Sequence, residues 1–290
     1  MKRSPLFELG KRIIYPAIDT RWRVQRSLWR VCPVCGGPPP FREISGYGRV
    51  FLHCGRCSHL WAHDYSRLRA RLGMGLTGWG REEPDTGGES EIFLARFCGE
   101  TFGSRSILLY GTGPTRAFRV LHDEGLAVYG CDVSRDVIAF RQNEFGADRF
   151  FHADEAGTRR YDVVIATEVI EHFFDPIQEL AKIAALCASG GVFCGSTGFS
   201  AAGEIEDEGH GYMSHRGHII YWSERSLARA FEDFGWRLHT FRLASNVPTA
   251  RLFFGSSDRD VNLALDRIAR ENGESPLLRW DATPSPEAVA

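Results

Sequence analysis

Short apolar runs alternate with longer amphipathic stretches through the middle of the chain, from about residue 91 onward. Short apolar runs predict buried strands, and amphipathic stretches of about 10–15 residues predict helices. The predicted strands are residues 107–110, 127–131, 149–152, 161–166 and 191–196, and the predicted helices are residues 114–124, 134–145 and 176–187. Strands that alternate with helices form a parallel sheet covered on both faces. The predicted fold class is therefore α/β.

The pattern changes after the fifth strand. Residues 198–222 are polar, and a loop of about 25 residues in a compact domain is usually functional or disordered. A helix is predicted at 223–234, and two closing strands are predicted at 236–244 and 249–255. After a C-terminal helix, the tail beyond about residue 272 is rich in Pro, Ser and Ala, a composition that predicts disorder.

The chain therefore divides into five predicted parts: residues 1–31, 32–63, 64–90, 91–256 and 257–290. The first is basic and interspersed with apolar residues, as in a helix that docks on the protein, a partner or an anionic surface, or packs with a solvated basic face. The second holds four cysteines, the third is a connector rich in turn formers, the fourth is the α/β domain, and the last is a helix with its tail.

Charge and composition narrow the class of protein. The formal net charge of −2 argues against a general nucleic-acid binder, which would need many cations to neutralise phosphates. No apolar run approaches the roughly 20 residues of a membrane span, and the N-terminus lacks the apolar core of a secretory signal. Four of the eight cysteines are scattered among apolar residues, which fits a reducing compartment. We expect a cytoplasmic protein.

Two C-x-x-C pairs, Cys32/Cys35 and Cys54/Cys57, are separated by 18 residues. Each pair places two thiolates on one tight turn, and two such turns supply four soft ligands for tetrahedral zinc. A module of this size cannot bury enough core alone, so a structural zinc is expected to fold it. The neighbouring residues His53, His59 and His63 are expected at the surface beside the complete site.

The first predicted strand of the α/β domain ends in Gly111-Thr112-Gly113, and the second ends at Asp132. Glycines at this point let the backbone pass close to a nucleotide-like ligand at the carboxyl edge of the sheet. A carboxylate about 20 residues later can accept hydrogen bonds from both ribose hydroxyls. These residues alone fit either a nicotinamide dinucleotide or another adenosine cofactor.

The segment from Tyr161 to Pro176, which contains Thr167-Glu168 and Glu171-His172, resembles class I S-adenosylmethionine (SAM) methyltransferases, as does the first glycine turn. The resemblance covers roughly residues 100–245 and is strongest to the ubiquinone-biosynthesis O-methyltransferases and their relatives. It implies a Rossmann-like sheet of seven strands, mostly parallel, with an antiparallel last strand. It also implies that SAM is bound by Gly111, Thr112, Gly113, Asp132, Val133, Asp154, Glu155, Thr167 and Glu168.

Within that resemblance, the glycines line the methionine moiety, Asp132 holds the ribose, and Asp154 lies near the adenine amine. Methyl transfer to a neutral oxygen or carbon also requires a general base, and His172 is the candidate. If residues 168–172 were helical, Glu168, Glu171 and His172 would share one face that suits a divalent cation. In the polar stretch, His210, His215 and His218 are candidates for the acceptor-binding wall. We therefore expect methylation of a hydroxyl or activated carbon of a small metabolite.

Other functions remain open. Leu109 stands where the family usually has an acidic residue, and Thr115 where it usually has a third glycine. These departures suggest an alternative, a catalytically degenerate binding protein that uses the zinc ribbon for partner recognition. A nicotinamide-dependent oxidoreductase is a further alternative. Nucleic-acid methylation is disfavoured because no N-P-P-Y-type motif follows the fourth strand.

Overall fold

The computed structural model describes residues 31–47, 49–63, 87–155, 157–200, 211–215, 217–243, 250–271 and 277–278. The strands are β1 Arg42–Gly46, β2 Arg49–His53, β3 Leu60–Ala62, β4 Ser106–Tyr110, β5 Ala127–Asp132, β6 Phe150–His152, β7 Tyr161–Thr167, β8 Cys187–Gly198, β9 Ile220–Tyr221, β10 Arg237–Leu243, β11 Ala250–Ser256 and β12 Leu277–Leu278. The helices are α1 Glu89–Phe102, α2 Ala117–Asp123, α3 Arg135–Phe145, α4 Pro176–Leu186, α5 Gly211–Ser214, α6 Glu224–Glu232 and α7 Arg259–Glu271. Two short 3₁₀ turns span Ala153–Glu155 and Ile170–His172.

Several predicted segments lie outside the described residues. They are the basic segment up to residue 30, residues 64–86 of the connector, and most of the C-terminal tail. In the part of the chain that is described, none of the helices has the length and apolar character needed to cross a membrane.

The chain forms two compact units. The first unit comprises Met1–Gly78, Ile170–Leu180 and Ser200–Ala230, and the second comprises Trp79–Val169, Ala181–Phe199 and Phe231–Ala290. Each unit therefore contains segments that are distant in sequence.

The second unit is built on a sheet with the strand order β12-β10-β11-β8-β7-β4-β5-β6. Strands β6, β5, β4, β7 and β8 are parallel to one another, and β11 is antiparallel to both β8 and β10. The predicted seven-stranded, mostly parallel sheet with an antiparallel last strand is confirmed. The two-residue β12 lies in the segment expected to be disordered and adds an eighth strand beside β10.

The central strands are buried on both faces, which explains why they are continuous apolar runs rather than alternating ones. Val163, Val164, Ile165 and Ala166 in β7 are each at most 1% exposed. Helix α1, which was not among the predicted elements, packs Leu94, Ala95 and Cys98 into the same core. The helix ends at Gly103, whose left-handed backbone caps its last turn.

The first unit contains an antiparallel sheet with the order β1-β2-β3-β9. Its last strand comes from far along the chain, because Ile220 pairs with Trp61 and Tyr221 pairs with Leu60. The described part of the stretch predicted as one long loop, residues 198–222, therefore contains a helical turn (α5) and a strand (β9). A two-residue strand has no hydrophobic period, so only its pairing reveals it.

Candidate functional site

The glycine turn after β4 and the carboxylate at the end of β5 are joined by hydrogen bonds. The backbone N–H groups of Gly111 and Thr112 both donate to the Cys131 carbonyl, over 2.9 and 3.0 Å. The N–H of Gly113 donates to Oδ2 of Asp132 over 3.0 Å. The two motifs that the sequence placed on neighbouring strands therefore meet at the carboxyl edge of the sheet, where ligands of α/β folds bind.

Both glycines of this turn have a left-handed backbone, with φ of 73° at Gly111 and 53° at Gly113. A Cβ on Gly111 would lie 2.7 Å from a methyl group of Val169, so that position is closed by packing. A Cβ on Gly113 would meet no atom of the described residues within 4 Å. The turn is therefore packed on one side and faces open space at Gly113, which leaves room for a ligand against the backbone.

Asp132 is held rigidly at this edge. Its Oδ1 accepts a hydrogen bond from the N–H of Ser134 over 2.8 Å, in addition to the Gly113 bond at Oδ2. Burial raises the pKa of Asp132 in spite of these amide donors. A carboxylate has about four lone-pair sites, so Asp132 can still accept a hydrogen bond from a ligand's hydroxyl group.

The predicted adenine-binding residues follow β6 at the same edge of the sheet. Asp154 pairs with Lys182 over 2.9 Å, and this cation lowers the pKa of Asp154. Glu155 pairs with Arg135 over 3.0 Å, and both side chains are exposed. Val133 is 50% exposed and offers an apolar surface beside Asp132.

The end of β7 carries the other two predicted cofactor residues. Glu168 has φ of 51°, a left-handed conformation that costs a residue with a Cβ about 1–2 kcal/mol. Its N–H donates to the Ser196 carbonyl over 2.9 Å, and its Oε1 accepts from the Ser196 hydroxyl over 2.8 Å. Such strain is held in place by surrounding contacts and is concentrated at functional sites. Ser196, which fixes Glu168, was not among the predicted site residues.

Glu91 is a second residue that the sequence analysis missed. It lies in the first turns of α1, and the Thr167 hydroxyl donates to its carboxyl group. Burial is the main cause that raises the pKa of Glu91. Leu109 is 1% exposed and belongs to the apolar core. Glu91 is therefore an acidic side chain beside Thr167 at the end of β7, which no motif in the sequence signals.

The four cysteines of the two C-x-x-C pairs lie together in the first unit. Their sulfur atoms are all within 4.8 Å of one another, with Cys32 to Cys57 at 3.6 Å and Cys35 to Cys54 at 3.7 Å. Four sulfurs at the Zn–S distance of about 2.3 Å around one tetrahedral ion would be about 3.8 Å apart. The sequence prediction of one four-cysteine cluster is confirmed by this geometry. His59 was expected at the surface but is fully buried, where it stacks on Trp61.

A second group of ligand-type side chains lies elsewhere in the first unit. Glu171, His172 and His218 each bring one ligand atom within 4.8 Å of the others. Glu171 is fully buried, and burial lowers the pKa of His172 to about 4 and that of His218 to about 2. His215 lies beside them with its ring centroid 4.3 Å from that of His218, while His210 lies outside the described residues.

Glu171 and His172 do not lie in the α-helix that was considered for residues 168–172. Only Ile170–His172 forms a 3₁₀ turn, and Glu168 before it is left-handed. The premise that Glu168, Glu171 and His172 share a helical face is therefore wrong. The third member of the observed group is His218, which the sequence had assigned to acceptor binding.

Arg49 fixes the chain around His218. Its guanidinium donates to the carbonyls of His215 and His218, each over 2.9 Å, and to the Tyr221 hydroxyl over 2.8 Å. Arg49 is the first residue of β2. Its hydrogen bonds therefore join the antiparallel sheet of the first unit to the segment that carries His215 and His218.

The strand order and the glycine–carboxylate pair define a Rossmann-like domain of the methyltransferase class. A family model described as "Methyltransferase domain" matches residues 89–240, just over half of the chain. The chain belongs to this methyltransferase family. A comparison with curated proteins found no significant match.

Many solved structures are similar to part of the chain. The magnesium protoporphyrin IX methyltransferase of Synechocystis PCC 6803 is 16% identical with a TM-score of 0.44, over 58% of this chain and 82% of its own. An O-methyltransferase family protein from Burkholderia thailandensis is 14% identical with a TM-score of 0.45, over 66% and 58%. The glycopeptide N-methyltransferase MtfA is 17% identical with a TM-score of 0.46, over 61% and 89%.

Proposed function

We propose that the protein transfers a methyl group from SAM to a hydroxyl or activated carbon of a small molecule, in the manner of the ubiquinone-type O-methyltransferases that its motifs resemble. The observation that carries this proposal is the hydrogen bond from Gly113 to Asp132 beside the open space at Gly113. The turn suits the methionine moiety, and Asp132 suits the ribose hydroxyls. When bound, SAM supplies the electrophilic methyl group.

The other cofactor contacts are assigned from the same edge of the sheet. Val133 offers an apolar face for the adenine ring, with Asp154 and Glu155 near its polar rim. Leu109 has no charge to offer the methionyl ammonium group. Glu91, held by Thr167, supplies that negative charge instead. If Glu91 has this role, a carboxylate from α1 does the work of the acidic motif residue, which supports the enzyme over the degenerate alternative.

His172 is our candidate base for the acceptor. Its Nδ1 is 2.9 Å from the Gly217 carbonyl, so Nδ1 carries the proton and the lone pair is on Nε2. Burial lowers the pKa of His172, so its imidazole is neutral near neutral pH and can accept a proton at Nε2. His215 and His218 are proposed to contact that acceptor.

The four clustered cysteines are proposed to hold a structural zinc ion. Their sulfur separations fit tetrahedral coordination, and a site with four protein ligands has no open position for catalysis. The competing function is a partner-binding protein with an inactive methyltransferase fold, in which the zinc ribbon recognises the partner. It is motivated by Leu109 and Thr115.

Calorimetry with SAM and with its product S-adenosylhomocysteine tests the cofactor assignment directly. We expect saturable binding of both, followed by methyl transfer from labelled SAM to members of a panel of phenols and enols. Absence of binding at millimolar SAM contradicts the proposal. Binding without turnover on any acceptor, together with partner capture that is lost when the ribbon is disrupted, supports the competing function.

A further inference from the structure

Glu171, His172 and His218 form a compact set of two imidazoles and one carboxylate in the first unit, separate from the four cysteines. We propose that these three side chains bind a divalent transition-metal ion. The site shares His172 and His218 with the proposed acceptor site and so deepens the proposed function, but nothing in SAM binding or in the four-cysteine cluster requires the ion.

The histidines are held in the form that a metal ligand needs. Nδ1 of His172 is 2.9 Å from the Gly217 carbonyl, and Nδ1 of His218 is 3.0 Å from the Tyr212 carbonyl. A carbonyl only accepts hydrogen bonds, so each Nδ1 donates and each Nε2 carries a lone pair. Histidines that ligate metals are usually oriented by this kind of second hydrogen bond.

The two lone pairs converge with a carboxylate. Nε2 of His218 lies 3.9 Å from Oε1 of Glu171, a separation that suits two ligands of one ion better than a direct hydrogen bond. The rings of His172 and His218 are nearly perpendicular, with centroids 5.0 Å apart. Glu171 is fully buried. Its backbone carbonyl accepts a hydrogen bond from the N–H of Ile219, so the segment that carries His218 is held beside the segment that carries Glu171 and His172.

The remaining surroundings set the expected strength of binding. Among the described residues Arg49 is a nearby cation, and its hydrogen bonds to His215, His218 and Tyr221 hold this segment in place. Its charge opposes a second cation, so we expect weaker binding than at the four cysteines. His172 is partly exposed and His215 is exposed, which gives an ion a path from solvent.

The ligand types indicate the class of metal. Imidazole suits zinc, copper, iron and nickel, whereas calcium and magnesium prefer sites made of oxygen atoms. Two histidines and one carboxylate also leave coordination positions open for a substrate oxygen. When an ion occupies Nε2 of His172, that nitrogen is a ligand and no longer a base, and the ion would lower the pKa of a bound hydroxyl instead.

Titration of the zinc-loaded full chain with Mn²⁺, followed by loss of the free-ion electron paramagnetic resonance signal, tests the site. About one equivalent of zinc per chain fills the four thiolates first, and no excess zinc is present, so the histidine site is left for Mn²⁺. We expect one bound ion per chain, with an affinity that falls by at least about 10-fold in Glu171→Gln and in His218→Gln. The exposed His122, which lies in α2 of the second unit, provides the control His122→Gln, which should bind as the unaltered chain does.

A second readout needs no substitution. In the unaltered protein, Co²⁺ should shift or broaden the imidazole resonances of His172 and His218 and leave those of His122 and His239 unchanged. Absence of Mn²⁺ and Co²⁺ binding at millimolar ion overturns the proposal, as does equal binding in the unaltered chain and both variants. Because these measurements require neither SAM nor an acceptor, their failure is separate from failure of the methyltransferase proposal.

Discussion

Gly36 and Ser58 occupy equivalent positions in the two cysteine turns and share one backbone conformation. Their φ angles are 63° and 59°. The N–H of Gly36 donates to the Cys32 carbonyl over 3.0 Å, and that of Ser58 donates to the Cys54 carbonyl over 2.8 Å. The two turns therefore follow the same path, although only the first has the glycine that this path favours.

This relationship predicts opposite effects at the two positions. A left-handed residue with a Cβ costs about 1–2 kcal/mol. Glycine avoids this cost, but it loses more conformational freedom on folding, and this loss offsets part of the gain. Ser58→Gly should stabilise the zinc-loaded first unit by up to about 1 kcal/mol, and Gly36→Ala should destabilise it by about 1–2 kcal/mol.

Urea unfolding followed by tryptophan fluorescence measures both effects. Gly55→Ala is the matched control, because Gly55 lies in the second turn without a positive φ and an added Cβ would meet no atom of the described residues within 4 Å. A stabilising effect of Gly36→Ala would show that the backbone of the turn differs from that described.

Asp132 should control cofactor affinity. Asp132→Asn keeps the size of the side chain but removes one acceptor and the charge that the ribose hydroxyls need. We expect SAM affinity to fall by about 10–100-fold, equivalent to about 1.4–2.8 kcal/mol. Isothermal calorimetry measures it, with the exposed Asp136→Asn in α3 as the control. Equal losses in the two variants would exclude a specific role for Asp132.

Cofactor binding should weaken in acid. Burial raises the pKa of Asp132 above the ordinary aspartate value of 3.8, so protonation begins at a higher pH than for an exposed aspartate. Protonation removes the carboxylate that accepts the ribose hydroxyls, so affinity falls as the pH falls through that raised pKa. Binding of S-adenosylhomocysteine measured from pH 8 downward should show this decline, and Asp132→Asn should flatten it. A steeper decline in the variant would assign the effect to another group.

Glu91 should act only on the methionine end of the cofactor. Glu91→Gln removes the proposed charge partner of the ammonium group but leaves the ribose contacts intact. SAM and S-adenosylhomocysteine should each bind about 10-fold more weakly, a loss typical of one charged hydrogen bond. Methylthioadenosine, which lacks the amino-acid group, should bind as before. Weaker binding of all three ligands would instead indicate that Glu91 supports the fold.

Cys54→Ser should release the zinc that we propose for the first unit. Three thiolates and a hydroxyl hold zinc far less well than four thiolates, and metal binding is coupled to the folding of such modules. Metal analysis should find about one zinc per chain in the unaltered protein and a substoichiometric amount in the variant. Cys187→Ser, in β8 of the second unit, is the control and should retain zinc. Full zinc content in Cys54→Ser would contradict the assignment.

Features that depend on neighbouring residues or on simple topology were predictable. The strands at residues 107–110 and 161–166 were recognised from their apolar runs, because both faces of a parallel sheet are covered. Gly111 and Asp132 were placed together correctly, because adjacent parallel strands end at the same edge. The two cysteine pairs were recognised from spacing alone, because each turn is local.

The sequence by itself thus determined the α/β sheet, the glycine turn with its carboxylate, and the cysteine pairs. Tertiary structure alone decided that Tyr221 pairs with Leu60, that Glu91 reaches Thr167, and that His218 joins Glu171 and His172. These contacts join residues that are far apart in the chain. Hydrophobic periodicity and motif spacing are local, so neither can indicate such a partner. Tertiary structure also decided that residues 170–172 form a 3₁₀ turn. A short segment adopts the backbone conformation that its packing and hydrogen bonds impose.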